Sequence, residues 1–309
     1  MSKAPSHLNA VLLAILVTFL WSSSWVLIKI GLKNDLPALS FAGMRYTLAF
    51  LCLIPIVLVN RFQRAILQSL DRMDWMKLTL LGLIYYTLAQ GAQFVSLAYL
   101  PSVMVSLLLN LSPIVVGFMS LAGDKEPPTF TQWLGITLSV AGTLIYFLPI
   151  AIPQAKMIGV LAALVGILSN SYATVLSRQV NQQKHLSPLV VTFVSMGIGS
   201  TLMLLTGWLT QGLGHPSLLD WGIIAWLAII NTALAFTLWS HTQRTLTAVE
   251  TSIVNSLMLP QIAILAFAFL GETITAKEIS GLALVGIGVL IIQLRKSRES
   301  GILLASSKG

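Results

Sequence analysis

The chain has 309 residues, 56% of them hydrophobic and only 9% charged, with a mean hydropathy of +0.87. So few polar groups cannot clothe a water-facing surface, which excludes a soluble globular protein and points to an integral membrane protein. Lys and Arg outnumber Asp and Glu by 18 to 10, a surplus that suggests nucleic acid in a soluble chain but first reports orientation in a membrane chain.

In chain order, the polar stretch MSKAPSHLNA is followed by the apolar run Val11–Ile30. That run is too long for a signal-peptide core and lacks a small-residue cleavage site, so it is read as a first span. Further spans are expected at Ala38–Val59, Met76–Ala98, Ser102–Ala122 and Phe130–Leu148. A second set of five follows at Met157–Ser177, Pro188–Thr210, Trp221–Thr242, Ala248–Leu270 and Ala276–Leu294, each near the length of a bilayer crossing. Cys52, the single cysteine, lies inside a span, so no disulfide framework is available.

The two sets are one pattern written twice. Glu126, Gly135 and Gly142 recur 146 residues later as Glu272, Gly281 and Gly288, and Leu100, Val103 and Ser106 recur as Leu246, Val249 and Ser252. Pro113 and Pro260 miss that register by one. Residues 1–150 and 151–309 are therefore expected to be two five-helix repeats. Because five is odd, the second copy enters the bilayer upside down, an arrangement shared by many secondary transporters.

The basic residues fit ten spans. Thirteen fall on the side of the termini (Lys3, Arg61, Arg64, Arg72, Lys77, Lys125, Arg178, Lys184, Arg244, Arg295, Lys296, Arg298 and Lys308) and three on the other (Lys33, Lys156 and Lys277). This places both termini in the cytoplasm and argues against nucleic acid as a partner.

The motifs resemble the drug/metabolite transporter superfamily, EamA type. They are the cluster LWSSSW (Trp21–Trp25), the arginine of GMRY (Arg45), Pro113 followed by GDKEP (Glu126), and the glycines Gly135 and Gly142. Their echo is LSNSY (Leu168–Tyr172), Pro260, FLGE (Glu272), Gly281 and Gly288. The second repeat has no arginine matching Arg45, and Asp124-Lys125 gives way to Gly271. The resemblance covers essentially the whole chain. It implies an all-α integral membrane fold of ten transmembrane helices in two inverted five-helix repeats, and a transport function, weakly in the export direction.

Polar side chains within spans cost free energy unless they find partners or line a wet cavity. Helical spacing aligns Tyr86, Gln90 and Gln93; Ser106, Asn110 and Pro113; and Asn170, Thr174 and Ser177. Asn255 occupies a comparable face with Gln261 beside it, and Asn231 stands alone in its span. Any one amide reads first as an interhelical hydrogen bond, but the set is better explained by a shared polar cavity. Trp21 and Trp25, at i and i+4 with Ser24 between them, either wall that cavity or fill the core. Tyr172, opposite Trp25 at an offset of 147, is the expected second aromatic wall.

Lys29 and Arg45 lie in the outer halves of their spans, there either to bind helix carbonyl ends or to attract an anionic group. Glu250 opens a span, either in an ion pair with Arg244 at the positive helix end or as a protonatable coupling group. No cofactor, metal or nucleotide motif is present: GLALVGIG lies within an apolar helix with no strand before it, and four scattered histidines show no ligand spacing. The sequence carries no signal for an oligomeric state.

The expectation is a secondary transporter, not an enzyme, resident in the cell (inner) membrane among lipid. It would move small polar or amphipathic metabolites, amino acids or related compounds first, by alternating access, with protons as a candidate driving partner. A lipid-linked-sugar or lipid flippase of the same fold is the alternative. A membrane-embedded enzyme is the weaker one, since clustered ionisable or metal-binding residues are lacking.

Overall fold

The computed structural model describes residues 5–34, 36–123, 128–147, 157–270, 276 and 279–288, and every regular element among them is helical. The repeated pair Glu126 and Glu272 lies outside the described residues. The first span is α1 (His7–Lys33) and the second α2 (Ala38–Val59). The charged segment 60–75, expected as a connection, folds into the short amphipathic helix α3 (Arg61–Gln68), which Asn60 caps by accepting from the Phe62 and Gln63 amides.

The third span begins four residues before its expected start. It runs as α4 (Arg72–Leu81), a π-helical stretch Gly82–Ala89, and α5 (Gln90–Tyr99). The fourth span is not one helix. It is α6 (Ser102–Leu109) and α7 (Ser112–Gly123), broken at Asn110–Leu111, and α8 (Phe130–Phe147) is the fifth.

The second repeat rebuilds the π-helical stretch and the helix break, but not α3. After α9 (Met157–Asn181) and α10 (Pro188–Gln211), the eighth span runs as α11 (Leu218–Ala228), a π-helical stretch Ile229–Leu234, and α12 (Ala235–Thr242). The ninth is α13 (Ala248–Asn255) and α14 (Met258–Leu270), broken at Ser256–Leu257, and α15 (Ile279–Gly288) is the described part of the tenth. The two breaks are 146 residues apart. So are the capping boxes that open the third and eighth spans: Asp71 with Asp74, and Ser217 with Asp220.

Packing follows the same symmetry. α2 lies along α10; the third span packs on the sixth as the eighth packs on the first, and the fourth packs on the sixth as the ninth packs on the first. Without a hydrophobic force between helices in lipid, such contacts depend on close approach. A Cβ on Gly43 would come within 2.5 Å of the Leu204 Cα, where α2 meets α10. The fifth and tenth spans meet through the repeated glycines: a Cβ on Gly142 would lie 2.5 Å from the Gly281 carbonyl, and one on Gly288 would lie 2.8 Å from that of Gly135.

Candidate functional site

The interior between the repeats encloses a cavity of about 70 Å³ lined by both of them. At about 10–15 Å³ per water, that is room for a few waters. The first, third, fourth, sixth, eighth and ninth spans all contribute, together with Arg45 and Tyr46 of α2.

One wall carries amides. Gln90 and Gln93 come from α5, Asn110 from the α6–α7 break, Asn170 and Thr174 from α9, and Asn255 with Ser256 from the α13–α14 break. Their other bonds hold this wall in place. Gln90 accepts from the Tyr46 hydroxyl at 2.6 Å, and the Asn110 amide donates to the Thr143 hydroxyl of α8, tying the first break to the fifth span. The Oδ1 of Asn255 and the hydroxyl of Ser112 are buried without a partner among the described residues. Buried polar atoms are normally satisfied, so these two are the natural contacts for a bound polar group or water.

The lining also carries a cluster of rings. Trp21 packs at 4.9 Å from Phe236 and 4.8 Å from Trp239, and Tyr85 lies 5.3 Å from Phe236, all in tilted or edge geometry. Trp25 adds a further ring to the lining from α1, and Ser24 turns its hydroxyl onto the Trp21 carbonyl at 2.6 Å. The indole N–H of Trp21 is buried without an acceptor among the described residues.

Three expected residues lie elsewhere. Tyr86 does not line the cavity; Tyr85 does. The π turn inserts one residue, so the position in line with Gln90 lies five residues back and not four. Tyr172 is 41% exposed on the outer surface of α9, because two residues along a helix carry a side chain to nearly the opposite face from Asn170. Asn231 is fully buried, its amide donating to the Leu20 carbonyl and to the Ser23 hydroxyl at 3.1 Å, so it joins the eighth span to the first.

The charged candidates resolve differently from one another. Lys29 donates to the Leu97 and Leu100 carbonyls at 2.5 and 2.7 Å, capping the end of α5. Arg45 borders the cavity, yet its Nε donates to the Thr232 hydroxyl at 2.7 Å and its Nη2 to the Asn231 carbonyl at 3.3 Å. It thereby satisfies the backbone of the π turn Ile229–Leu234. Glu250 is buried at the start of α13, where Thr247 and Glu250 form a capping box and His7 lies 3.4 Å away. It does not line the cavity.

Phe236, Trp239 and Tyr46 were not singled out from the sequence. The signal for the first two was available: they stand 146 residues after Gln90 and Gln93.

Comparison with known proteins bears on the family and the fold. The model of the EamA-like transporter family matches twice, over residues 8–148 and 157–294. An uncharacterized transporter of Bacillus subtilis, YvbV, is 26% identical, covering 97% of this chain and 96% of its own. An S-adenosylmethionine/S-adenosylhomocysteine transporter of Chlamydia muridarum is 24% identical over 95% of this chain and 94% of its own. A crystal structure at 17% identity superposes with a TM-score of 0.77, covering 94% of this chain and 97% of that one, and so shares its fold. With both halves matched, the chain is a multi-pass membrane protein that belongs to the EamA-like transporter family, within the drug/metabolite transporter superfamily.

Proposed function

We propose that this protein is a secondary transporter, not an enzyme, that moves small amphipathic metabolites, amino acids or related compounds first, by alternating access through the central cavity. The two repeats, residues 1–150 and 151–309, both line that cavity, and export is the favoured direction. The observation that carries this reading is the pairing of an amide wall with an aromatic wall, drawn from both repeats and flanked by a helix break in each. Broken helices at the midplane leave backbone and side-chain polar groups free for a solute.

A cavity of 70 Å³ does not hold a metabolite as it stands. Substrate entry therefore requires the walls to part, which is what alternation between two open states supplies. The one-sided basic residues support a cell (inner) membrane orientation with both termini cytoplasmic.

The Chlamydia relatives named for S-adenosylmethionine and S-adenosylhomocysteine favour one subclass, solutes joining an amino-acid end to a flat ring. Such a molecule would present its polar end to the amides and its ring to Trp21 and Trp239. Proteoliposomes loaded with radiolabelled amino acids and S-adenosylmethionine, with and without a pH gradient, test the reading. Saturable flux of one class supports it. Lipid scrambling with no flux of any soluble compound would replace it with the flippase alternative. Flux that ignores the gradient and survives Glu250→Gln would remove protons, through that residue, from the mechanism.

A further inference from the structure

A second space, a groove of about 650 Å³, lies outside the cavity on the membrane face that carries α3 and the loop between α9 and α10. Phe62, Gln63 and Ile66 of α3 form one side and Thr237, Leu238 and His241 of α12 the other, with Pro188 and Leu189 at the start of α10 between them. Lys184 stands exposed at its rim, and Arg244 lines it just beyond the end of α12.

The groove is held by specific contacts. Gln63 accepts from the Ser187 hydroxyl, which also caps α10 by accepting from the Val190 amide at 3.2 Å. His185, beside Lys184, is held on Asp74 at 3.0 Å. α3 is thereby tied to the second repeat.

The lining also changes along its length. Thr237, Leu238, His241 and Arg244 succeed one another on one side of α12 and its end, about 10 Å from first to last at 1.5 Å per residue. Arg244 stands at one end of that run and Leu238 about 9 Å from it, with Leu189, Phe62 and Ile66 as further apolar lining. A free anion would use only the first part; a phospholipid has a negative head and an apolar tail in this order.

We propose that this groove binds one anionic phospholipid of the cytoplasmic leaflet, its phosphate among Lys184, His241 and Arg244 and the upper part of one acyl chain against Phe62, Ile66, Leu189 and Leu238. The site is independent of the transport reading. Lipid at this place bridges α3 of the first repeat to α10 and α12 of the second.

The full-length protein, reconstituted in nanodiscs of phosphatidylglycerol and phosphatidylcholine in equal parts, is released for native mass spectrometry. Phosphatidylglycerol is retained preferentially. A Lys or Arg near an anionic surface contributes about 1 kcal/mol, so Lys184→Gln lowers that retention about fivefold. Leu189→Trp, which fills the apolar part and leaves every cation in place, also lowers it, while an excess of inorganic phosphate does not displace the lipid. Equal retention of the two lipids overturns the proposal, as does displacement by phosphate or retention unchanged by both substitutions. Lys184 is exposed, so its variant folds and the result is readable.

Discussion

The two repeats share a backbone and differ in what they hang on it. Both open their third helix with a capping box, both loosen it with a π turn, and both break the following helix, each device 146 residues from its copy to within a residue. The side chains carried by these devices have diverged. Where the first repeat places Gln90 and Gln93, the second places Phe236 and Trp239; where the first has Tyr85 in its π turn, the second has Asn231. A duplicated scaffold thus keeps the features that position a cavity and leaves equivalent positions free to diverge, so amides in one repeat stand where rings stand in the other.

The largest expected effect comes from breaking what the halves have in common. Gly142→Val presses a branched side chain onto the Gly281 carbonyl, and overpacking of this kind costs about 1–3 kcal/mol. A lower melting temperature of the detergent-solubilised protein checks it, and Gly288→Val on the opposite helix should do the same.

Erasing the difference between the halves acts on the substrate instead. Trp239→Gln gives the second repeat the residue of the first and removes a ring 4.8 Å from Trp21. Aromatic pairs contribute about 0.5–1.5 kcal/mol beyond their area, so up to roughly tenfold weaker apparent affinity is expected from flux titrations. Unchanged affinity in folded protein would show that the aromatic wall does not touch substrate.

Asn231→Ala is expected to separate structure from binding. It loses the bonds to Leu20 and Ser23, worth about 0.6 kcal/mol each in membranes, and so lowers melting temperature while leaving apparent affinity alone. The smallest effect belongs to Tyr172→Ala. That ring faces outward, and neither flux nor stability should move beyond error.

Spans, repeat and inversion were legible because apolar run length and a 146-residue echo survive in sequence. The amides of the cavity were legible too, since a polar side chain within an apolar helix stands out. What was hidden traces to backbone irregularity. The Tyr86 stripe was drawn on ideal 3.6-residue geometry, and the π turn moved the lining to Tyr85. The breaks at Asn110–Leu111 and Ser256–Leu257 fall in apolar runs whose only local marks are Pro113 and Pro260. Phe236 and Trp239 were not singled out, because nothing in composition separates a ring that faces a cavity from one that faces a neighbour. Which of its two readings Asn231 follows was hidden for the converse reason, since its partners lie more than 200 residues away.

The tightness of the central space has an energetic consequence for whatever occupies it. A guest must first part side chains that now hold one another, Trp21 from Trp239 and Phe236 among them, and that separation subtracts from the gain of new contacts. Affinity will therefore sit below what the lining alone would give, and release on the far side is correspondingly easy. Replacements that loosen the ring cluster without removing its surface would raise occupancy and slow turnover together.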